Sequence, residues 1–123
     1  MKTNGQIEAA VSAGIVQFEQ EYLGRGPGDV RTYLLDDLLV VRLKSVLTAA
    51  EERLVQTMPA ERGRDLLKQV RTQLIELARL RLETLIKDIC ETAVVSLHHD
   101  ISTTTGEEII LFTLDNAPAV RNR

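Results

Sequence analysis

Two histidines and an aspartate lie close together late in the chain, and their side chains are the ones best suited to acid–base or metal chemistry. The stretch Ser96-Leu-His98-His99-Asp100 is typical of a β-strand, in which successive side chains point to opposite faces. His98 and Asp100 then share one face, whereas His99 lies on the apolar face and is expected to be a hydrogen-bonded core histidine. Two ligands are too few for a tight metal site. We also identify no nucleophile or substrate pocket beside them, and therefore predict neither a metal site nor a catalytic residue.

A second candidate site is the glycine-rich loop Gly24-Arg25-Gly26-Pro27-Gly28, which is followed by Arg31. Glycines can expose backbone N–H groups, and the two arginines carry forked donors that suit phosphate, carboxylate or bicarbonate. The simpler interpretation is a loop that ends a helix and carries solvated arginines. It is not a phosphate-binding P-loop, because the G-x-x-x-x-G-K-[ST] pattern is absent and the loop follows a helix instead of a strand.

Two further sets of residues have simple structural interpretations. Asp36-Asp37 could bind a hard cation, but paired carboxylates at a hairpin tip are ordinary turn residues. Arg42 and Lys44, on the following strand, fit a solvated sheet face. Cys90 is the single cysteine, so it cannot form an internal disulfide, and we interpret it as a small buried filler at a helix end.

Composition narrows the possible classes of protein. The 123 residues are 44% apolar and 27% charged, which predicts one globular domain, and the 3% of aromatic residues requires an aliphatic core. The net charge of −3 and the scarcity of aromatic residues argue against a nucleic-acid module. No apolar run approaches the roughly 20 residues of a membrane span, and the N-terminus lacks the apolar region of a signal peptide. We therefore expect a cytoplasmic protein.

The hydrophobic spacing and the turn residues predict seven elements in the order α-β-β-α-α-β-β. Capping boxes at Thr3–Gln6 and Thr48–Glu51 mark two helix starts. The order predicts an α+β domain over residues 1–115, with a four-stranded antiparallel sheet of two hairpins backed by helices, and a flexible tail over 116–123. The pairing order between the hairpins does not follow from the sequence. The predicted elements are helix 4–22, strands 30–35 and 38–44, helix 49–56, helix 60–89, and strands 92–102 and 108–114.

Three details of packing are also predicted. Gly14, within the apolar stripe of the first helix, marks a close approach by another backbone. In the third strand, the residues predicted to share the core face are Ala93, Val95, Leu97, His99 and Ile101. In the long helix, the predicted apolar stripe comprises Leu67, Val70, Leu74, Leu77, Leu82, Leu85, Ile86 and Ile89.

The long helix also bears on assembly. At 1.5 Å per residue it would be about 40–45 Å long, more than a domain of this size needs to cover its own core. An apolar stripe that is partly uncovered would pair with a copy of itself, so we expect a homodimer.

Taken together, the motifs resemble a bacterial family, the MpsC-like or YbcI-like proteins, over nearly the whole chain to about Asp115. The resemblance places His98 at the first position of a His-x-Asp pattern. The matching stretches are Tyr22-Leu-Gly-Arg-Gly-Pro27, Arg31-Thr-Tyr-Leu-Leu-Asp-Asp37, Val41-Arg-Leu43, Leu47-Thr-Ala-Ala-Glu51, Ser96-Leu-His-His-Asp-Ile-Ser-Thr103 with Gly106-Glu107, and Phe112-Thr-Leu-Asp115.

The resemblance implies a component of a Na⁺-translocating, membrane-potential-generating system, of a kind linked to inorganic-carbon uptake through membrane partners. The leading hypothesis is a non-enzymatic accessory or regulatory homodimer, without cofactor or direct membrane insertion, that docks on a membrane ion- or bicarbonate-translocating complex. Two alternatives stay open: a dimeric sensor of a small anion such as bicarbonate or phosphate, and a metal-assisted hydratase or hydrolase that uses His98 and Asp100. The predicted contact or anion surface consists of Gly24, Arg25, Gly26, Pro27, Arg31, Arg42, His98 and Asp100.

Overall fold

A computed structural model of the chain describes residues 1–57 and 59–121. It confirms the predicted α+β class and element order, with boundaries close to the predicted ones. Met58, in the predicted break between the second and third helices, and the last two residues of the predicted tail lie outside the described residues. The elements are α1 (Asn4–Leu23), β1 (Asp29–Leu35), β2 (Leu38–Lys44), α2 (Ala49–Thr57), α3 (Ala60–Cys90), β3 (Val94–Ile101) and β4 (Glu108–Leu114).

Local chemistry sets the ends of the first two helices as predicted. At the start of α1, the Gln6 backbone N–H donates to Thr3 Oγ1 and the Thr3 N–H donates to Gln6 Oε1, which completes a capping box. Gly24 ends the helix in the left-handed region, at φ 79°. Before α2, Thr48 and Glu51 make the same reciprocal pair. These contacts satisfy backbone N–H groups that a helix start leaves without partners.

The four strands form one antiparallel sheet in the order β1-β2-β4-β3. The predicted hairpins are both present, and pairing between β2 and β4 joins them. Leu35 pairs with Leu38 across the tight turn Asp36-Asp37, and Asp36 takes a left-handed φ of 56° there. Aspartate tolerates this conformation better than most residues.

The helices pack on one face of the sheet. α1 lies against β1, where Ser12 Oγ and Thr32 Oγ1 are 2.8 Å apart, and α3 packs against β3 and α1. The other face, which we call the open face, carries none of the described helices. The aliphatic core between the helices and the sheet includes Ile7, Val11, Ile15, Phe18, Leu34, Leu39, Val41, Leu43, Leu67, Ile75, Ala78, Leu82, Ile86, Leu97, Ile101, Ile110, Phe112 and Leu114.

The apolar stripe predicted for the long helix is partly wrong. Leu67 and Leu82 are buried, but Leu77 is 75% exposed and Val70 is also exposed. The ridge that faces the core instead passes through Arg71 and Ile75. A hydrophobic pattern does not count the charged Arg71 as a core residue. The predicted stripe therefore includes Val70 and Leu77, which face solvent.

The predicted alternation in the third strand fails at its start. The pairing of β3 with β4 is irregular between Val94 and Ser96, as in a β-bulge. The extra residue shifts the alternation, so Val94 packs against the core and Val95 is exposed. From Leu97 onward the predicted faces are correct.

Two glycines permit close helix packing. A Cβ at Gly14 would lie 2.8 Å from a methyl group of Leu85, so the close neighbour is a side chain, not the predicted backbone. A Cβ at Gly63, near the start of α3, would lie 2.6 Å from the carbonyl oxygen of Leu54 in α2. The backbones of α2 and α3 therefore approach each other at this point.

The described part of the predicted tail lies beside the N-terminus. Pro118 is buried, and the Arg121 backbone N–H donates to the Lys2 carbonyl oxygen at 2.9 Å. The flexibility of residues 116–123 stays a prediction. In the described residues, no helix combines the length and the apolar character that a membrane crossing requires.

Replacing Gly63 with alanine should lower the free energy of unfolding by about 1–3 kcal/mol, because the new methyl group overlaps the α2 backbone. The matched control is Gly5→Ala in α1, where a Cβ has no neighbour within 4 Å. This control should leave stability unchanged or raise it by up to about 1 kcal/mol. Urea denaturation measures both, and equal effects of the two substitutions would contradict the close packing of α2 on α3.

Candidate functional site

A buried arginine surrounded by three glutamates lies where four elements meet. Arg71 projects from α3, Glu19 from α1, Glu51 from α2 and Glu108 from β4. Arg71 is 4% exposed, Glu19 2% and Glu108 0%. Charged side chains are seldom buried to this degree without close pairing, so these four residues, which we call the Arg71 cluster, are the best candidate for a functional site.

The guanidinium group of Arg71 is shared unevenly within the cluster. Its Nη2 donates to the Val46 carbonyl oxygen at 2.8 Å and to Glu51 Oε1 at 3.2 Å. Its Nη1 lies 4.0 Å from an oxygen of Glu19 and 4.0 Å from an oxygen of Glu108. These longer separations are electrostatic contacts and not hydrogen bonds.

Four buried polar atoms of the cluster have no hydrogen-bond partner among the described residues. They are Glu19 Oε2, Arg71 Nε and both carboxyl oxygens of Glu108. An unsatisfied buried polar atom costs about 1–3 kcal/mol, and more if it is charged. Such atoms in a native fold indicate a bound proton, water or ligand that satisfies them.

A small cavity adjoins the cluster. Its volume is about 80 Å³, which is enough for ordered water beside the polar side chains. Because Glu19 lines this cavity, water or a proton can reach its carboxyl group. The lining residues are Glu19, Leu23, Arg25, Val46, Thr48, Glu51, Arg71 and Leu74.

Burial raises the pKa of both buried glutamates. Loss of solvation is the main cause of the rise in the pKa of Glu19 to about 7; the neighbouring Glu108 adds to it and Arg71 opposes it. The pKa of Glu108 also rises to about 7, again chiefly through burial, with Arg71 opposing and Glu51 adding. Near neutral pH, therefore, the cluster exchanges protons with solvent.

Charge counting gives the same result. If all three glutamates were ionised, one guanidinium would face three carboxylates in a region largely excluded from water. Protonation of Glu19 and Glu108 leaves one ion pair, Arg71 with Glu51, which is the pair that the structure holds at hydrogen-bond distance. The arrangement can thus bind and release protons near neutral pH.

Sequence reasoning missed the Arg71 cluster, although a signal was present. Each buried member occupies an apolar position of its element: Glu19 follows Ile15 by four residues, and Arg71 follows Leu67 by four. Glu108 precedes Ile110 by two on the core face of β4. A charged residue in phase with the apolar stripe, repeated in three elements, predicts a buried charge cluster.

Four of the eight residues of the predicted contact surface lie on the open face of the sheet. Arg31 of β1 pairs with Arg42 of β2, whose neighbour in β4, Ile109, pairs with Asp100 of β3. His98 lies on the same face, one row along. The sheet therefore presents Arg31, Arg42 and His98 on one surface.

Two of these charged groups also have nearby partners. Arg42 Nε is 2.6 Å from Glu107 Oε2. Asp100, on the edge strand, accepts from Lys68 Nζ at 3.1 Å, and this hydrogen bond is the main cause that lowers the pKa of the Asp100 carboxyl. Asp100 is therefore bound to α3 and not to His98.

Arg25 of the glycine-rich loop and Arg31 of β1 lie in different places. The Arg25 guanidinium donates to the Leu47 carbonyl oxygen and lines the cavity beside Arg71. It also lines a polar cavity of about 370 Å³ next to residues 103–106. Arg31 lines another cavity, beside α1, and is 3.4 Å from Asp29. Gly24, Gly26 and Pro27 connect the two places without bringing the two guanidinium groups together.

The histidines lie on opposite faces, as predicted. His99 is half-buried on the helix side, and burial lowers the pKa of its imidazole. The hydrogen bond expected for His99 is not found among the described residues. In those same residues, no three His, Cys, Asp or Glu side chains are grouped so that they could hold a metal ion. Cys90 is buried, as predicted, and burial raises the pKa of its thiol.

Replacing Glu19 with glutamine should reduce the loss of stability between about pH 5 and pH 8. The folded pKa of Glu19 lies above its ordinary value of 4.5, so the folded state keeps a proton that the unfolded chain releases. The stabilising effect of this bound proton is complete below about pH 4.5 and is lost as the pH rises through about 7. Urea denaturation across this range should find the variant similar to wild type at about pH 5 and more stable by about 1–3 kcal/mol at about pH 8.

The control for this experiment is Glu21→Gln, on the same helix, because the Glu21 side chain is 56% exposed. This variant should follow the wild-type dependence on pH. A Glu19→Gln variant with the wild-type slope would show that Glu19 is ionised in the folded protein at neutral pH.

Comparison with known proteins gives this chain a family. A relative from Bacillus subtilis (strain 168), named "Uncharacterized protein YbcI", is 38% identical over 115 residues, which cover 94% of this chain and 90% of the relative. No solved structure matches the chain. The profile of one family, described as "Na+-translocating membrane potential-generating system (MpsC)", matches residues 3–116. With a match of this extent, and with the resemblance of its motifs, the chain belongs to the MpsC family.

Proposed function

We propose that this chain is a non-enzymatic accessory or regulatory subunit that docks, from the cytoplasmic side, on a membrane subunit of an ion-translocating complex. The description of the family supports a link to a Na⁺-translocating, membrane-potential-generating system. The link to bicarbonate uptake rests on the resemblance alone. The observation that carries the docking role is the open face of the sheet, whose apolar side chains are not covered by any described helix.

The centre of the open face is apolar. Tyr33 and Val40 pair across the hairpin, and Leu111 pairs with Val40 in the next strand. Val40 and Leu111 are only partly buried although they belong to the two central strands, and Tyr33 is exposed. Leu35 and Val95 extend the exposed apolar surface toward one end. Contiguous exposed apolar side chains of this kind mark an interaction surface.

One end of the open face has an excess of positive charge. Arg31 lies directly opposite Arg42, an arrangement of like charges that destabilises a sheet unless other groups balance it. Lys44 adds a third cation two residues along β2. The adjacent acidic partners are Asp29 and Glu107, so three cations face two carboxylates. A partner carboxylate would complete the balance.

These features define the partner that the open face would bind. It is a segment of a membrane subunit with apolar side chains that cover Tyr33 and Leu111, and with an acidic residue beside Arg31 and Arg42. Aromatic residues and arginines are the side chains that most often dominate binding energy at protein interfaces. A small-anion sensor would instead draw on Arg25 and Arg31 together, and because these line different cavities, the docking surface is the better-supported function.

Replacing Tyr33 and Leu35 with serine should abolish docking without disturbing the core, because both side chains are on the open face. Affinity-tagged protein incubated with native membranes should recover an ion-translocating subunit, and the double variant should recover at least about tenfold less. The matched control is Val120→Ser, which removes an exposed apolar side chain elsewhere. The proposal fails if wild-type protein recovers no membrane subunit, or if the double variant recovers as much as wild type.

The outer side of α3 supports a second surface, for a second copy of the chain. Leu66, Val70, Leu77 and Leu80 are all exposed, and Leu80 is 76% exposed. With Gln73 between them, their spacing is 4-3-4-3, the pattern of a coiled-coil seam. An antiparallel pair of α3 helices related by a twofold axis through Gln73 would bring Leu66 of one copy against Leu80 of the other and Val70 near Leu77, with the two glutamines facing each other. We therefore propose a homodimer formed along α3.

Replacing Leu77 with lysine should convert the dimer to a monomer, because it puts a charge in the centre of the proposed seam. Analytical ultracentrifugation at micromolar concentration should give a dimer for wild type and a monomer for the variant. The control Thr104→Lys adds the same charge in the exposed turn between β3 and β4 and should remain dimeric. A monomeric wild-type protein would contradict the proposed seam.

A further inference from the structure

The second helix, α2, packs on α3 and makes few contacts with the other elements. None of its described side chains is fully buried. Val55 packs partly against the core, and the α2 backbone approaches Gly63 of α3. The ion pair of Glu51 with Arg71, at 3.2 Å, also ties the first turn of α2 to α3. This part of the attachment depends on which carboxylate holds Arg71.

The three glutamates compete for that one guanidinium. Glu19 and Glu108 each lie 4.0 Å from Arg71 Nη1. A shift of about 1 Å would turn either distance into a charge-assisted hydrogen bond. When they are protonated, these two carboxyls make little demand on Arg71, and Glu51 keeps it. When they are ionised, their attraction to Arg71 and their repulsion of Glu51 both increase.

Glu51 is the member that can leave most easily. Its side chain is 21% exposed, whereas the side chains of Glu19 in α1 and Glu108 in β4 are almost completely buried. An ionised carboxylate that moves into water regains its solvation, but a buried one cannot do so without unfolding its element. The release of Glu51, and with it of α2, is therefore the cheapest response to an added negative charge.

Other charged groups near the cluster do not supply the missing balance. Arg25 lines the same cavity but donates to the Leu47 carbonyl oxygen. Asp100, in β3, adds negative charge near Glu108 and is paired with Lys68 of α3. No further cation from the described elements lies within ion-pair distance of Glu19 or Glu108.

We propose that Glu19 and Glu108 form a proton-binding site, and that the occupancy of this site determines whether α2 stays packed on α3. Protons hold Arg71 free for Glu51 and keep α2 in place. Their release draws Arg71 toward α1 and β4, frees Glu51 and opens the cavity beneath α2. The unsatisfied oxygens of Glu19 and Glu108 are the atoms that would carry these protons. This site is independent of the docking function proposed above.

Hydrogen–deuterium exchange of the full chain tests this proposal at about pH 6 and about pH 8, after correction for the intrinsic effect of pH on exchange. In wild type, protection of the amides in residues 49–57 should fall about tenfold or more at the higher pH, while protection in α1 and β4 is kept. In the Glu19→Gln/Glu108→Gln variant, protection of α2 should be equal at the two pH values. If the double variant does not fold, Glu19→Gln alone should reduce the difference in α2 protection between the two pH values that wild type shows.

Two variants on α2 separate the effect of the Glu51–Arg71 ion pair from general effects of charge. Glu51→Gln keeps the capping interaction with Thr48 but weakens the bond to Arg71, so α2 should be poorly protected at both pH values. Glu52→Gln, at an exposed neighbouring position, should behave as wild type. Unchanged protection of α2 in wild type, or a response to pH that persists in the double variant, would overturn the proposal.

The last arm of the experiment identifies the ligand. At about pH 8, sodium chloride and potassium chloride of equal ionic strength should leave α2 equally unprotected, because the site binds protons. Protection that returns in sodium alone would overturn the assignment of the proton and would identify a metal cation as the ligand.

Discussion

The burial of the Arg71 guanidinium links every layer of this small fold. It lies in α3, and its carboxylate neighbours come from α1, α2 and β4, so one cation connects three helices and the sheet. Around it the core is aliphatic and supplies most of the stability, as expected for a domain with few aromatic residues. Since one guanidinium cannot pair closely with three carboxylates, and burial raises the pKa of Glu19 and Glu108 to about 7, the cluster can take up protons near neutral pH.

The packing of the helices on one face of the sheet is the basis of the proposed function. Because α1 and α3 cover a single face, the sheet exposes Tyr33 and its neighbours to solvent, and the length of α3 leaves a second apolar surface. A domain with helices on both faces of the sheet would bury Tyr33 and its neighbours and lose the first of these surfaces. Binding to partners is the role that we propose for such an arrangement, and the family description names a Na⁺-translocating membrane-potential-generating system.

The parts of the structure that local sequence determines were predictable. The Thr3 and Thr48 caps, the Asp36-Asp37 turn and the strands beside it follow from interactions a few residues apart. The pairing of β2 with β4, and the bulge at Val94–Ser96, depend on contacts between distant segments, which periodicity does not report. The Arg71 cluster was missed for a related reason. Each charged residue by itself resembles a surface residue, and its burial becomes evident only when the elements that carry the charges are packed together.

The most direct test of the central claim is a titration of the glutamate carboxyl groups, followed by the chemical shifts of their side-chain carbon-13 nuclei in the folded protein. We predict that two carboxyls, assigned to Glu19 and Glu108 by their disappearance in the glutamine variants, titrate at about pH 7. Their titrations should also be coupled, because each carboxyl changes the charge near the other. Titration of both groups near the ordinary glutamate value of 4.5 would contradict the central claim.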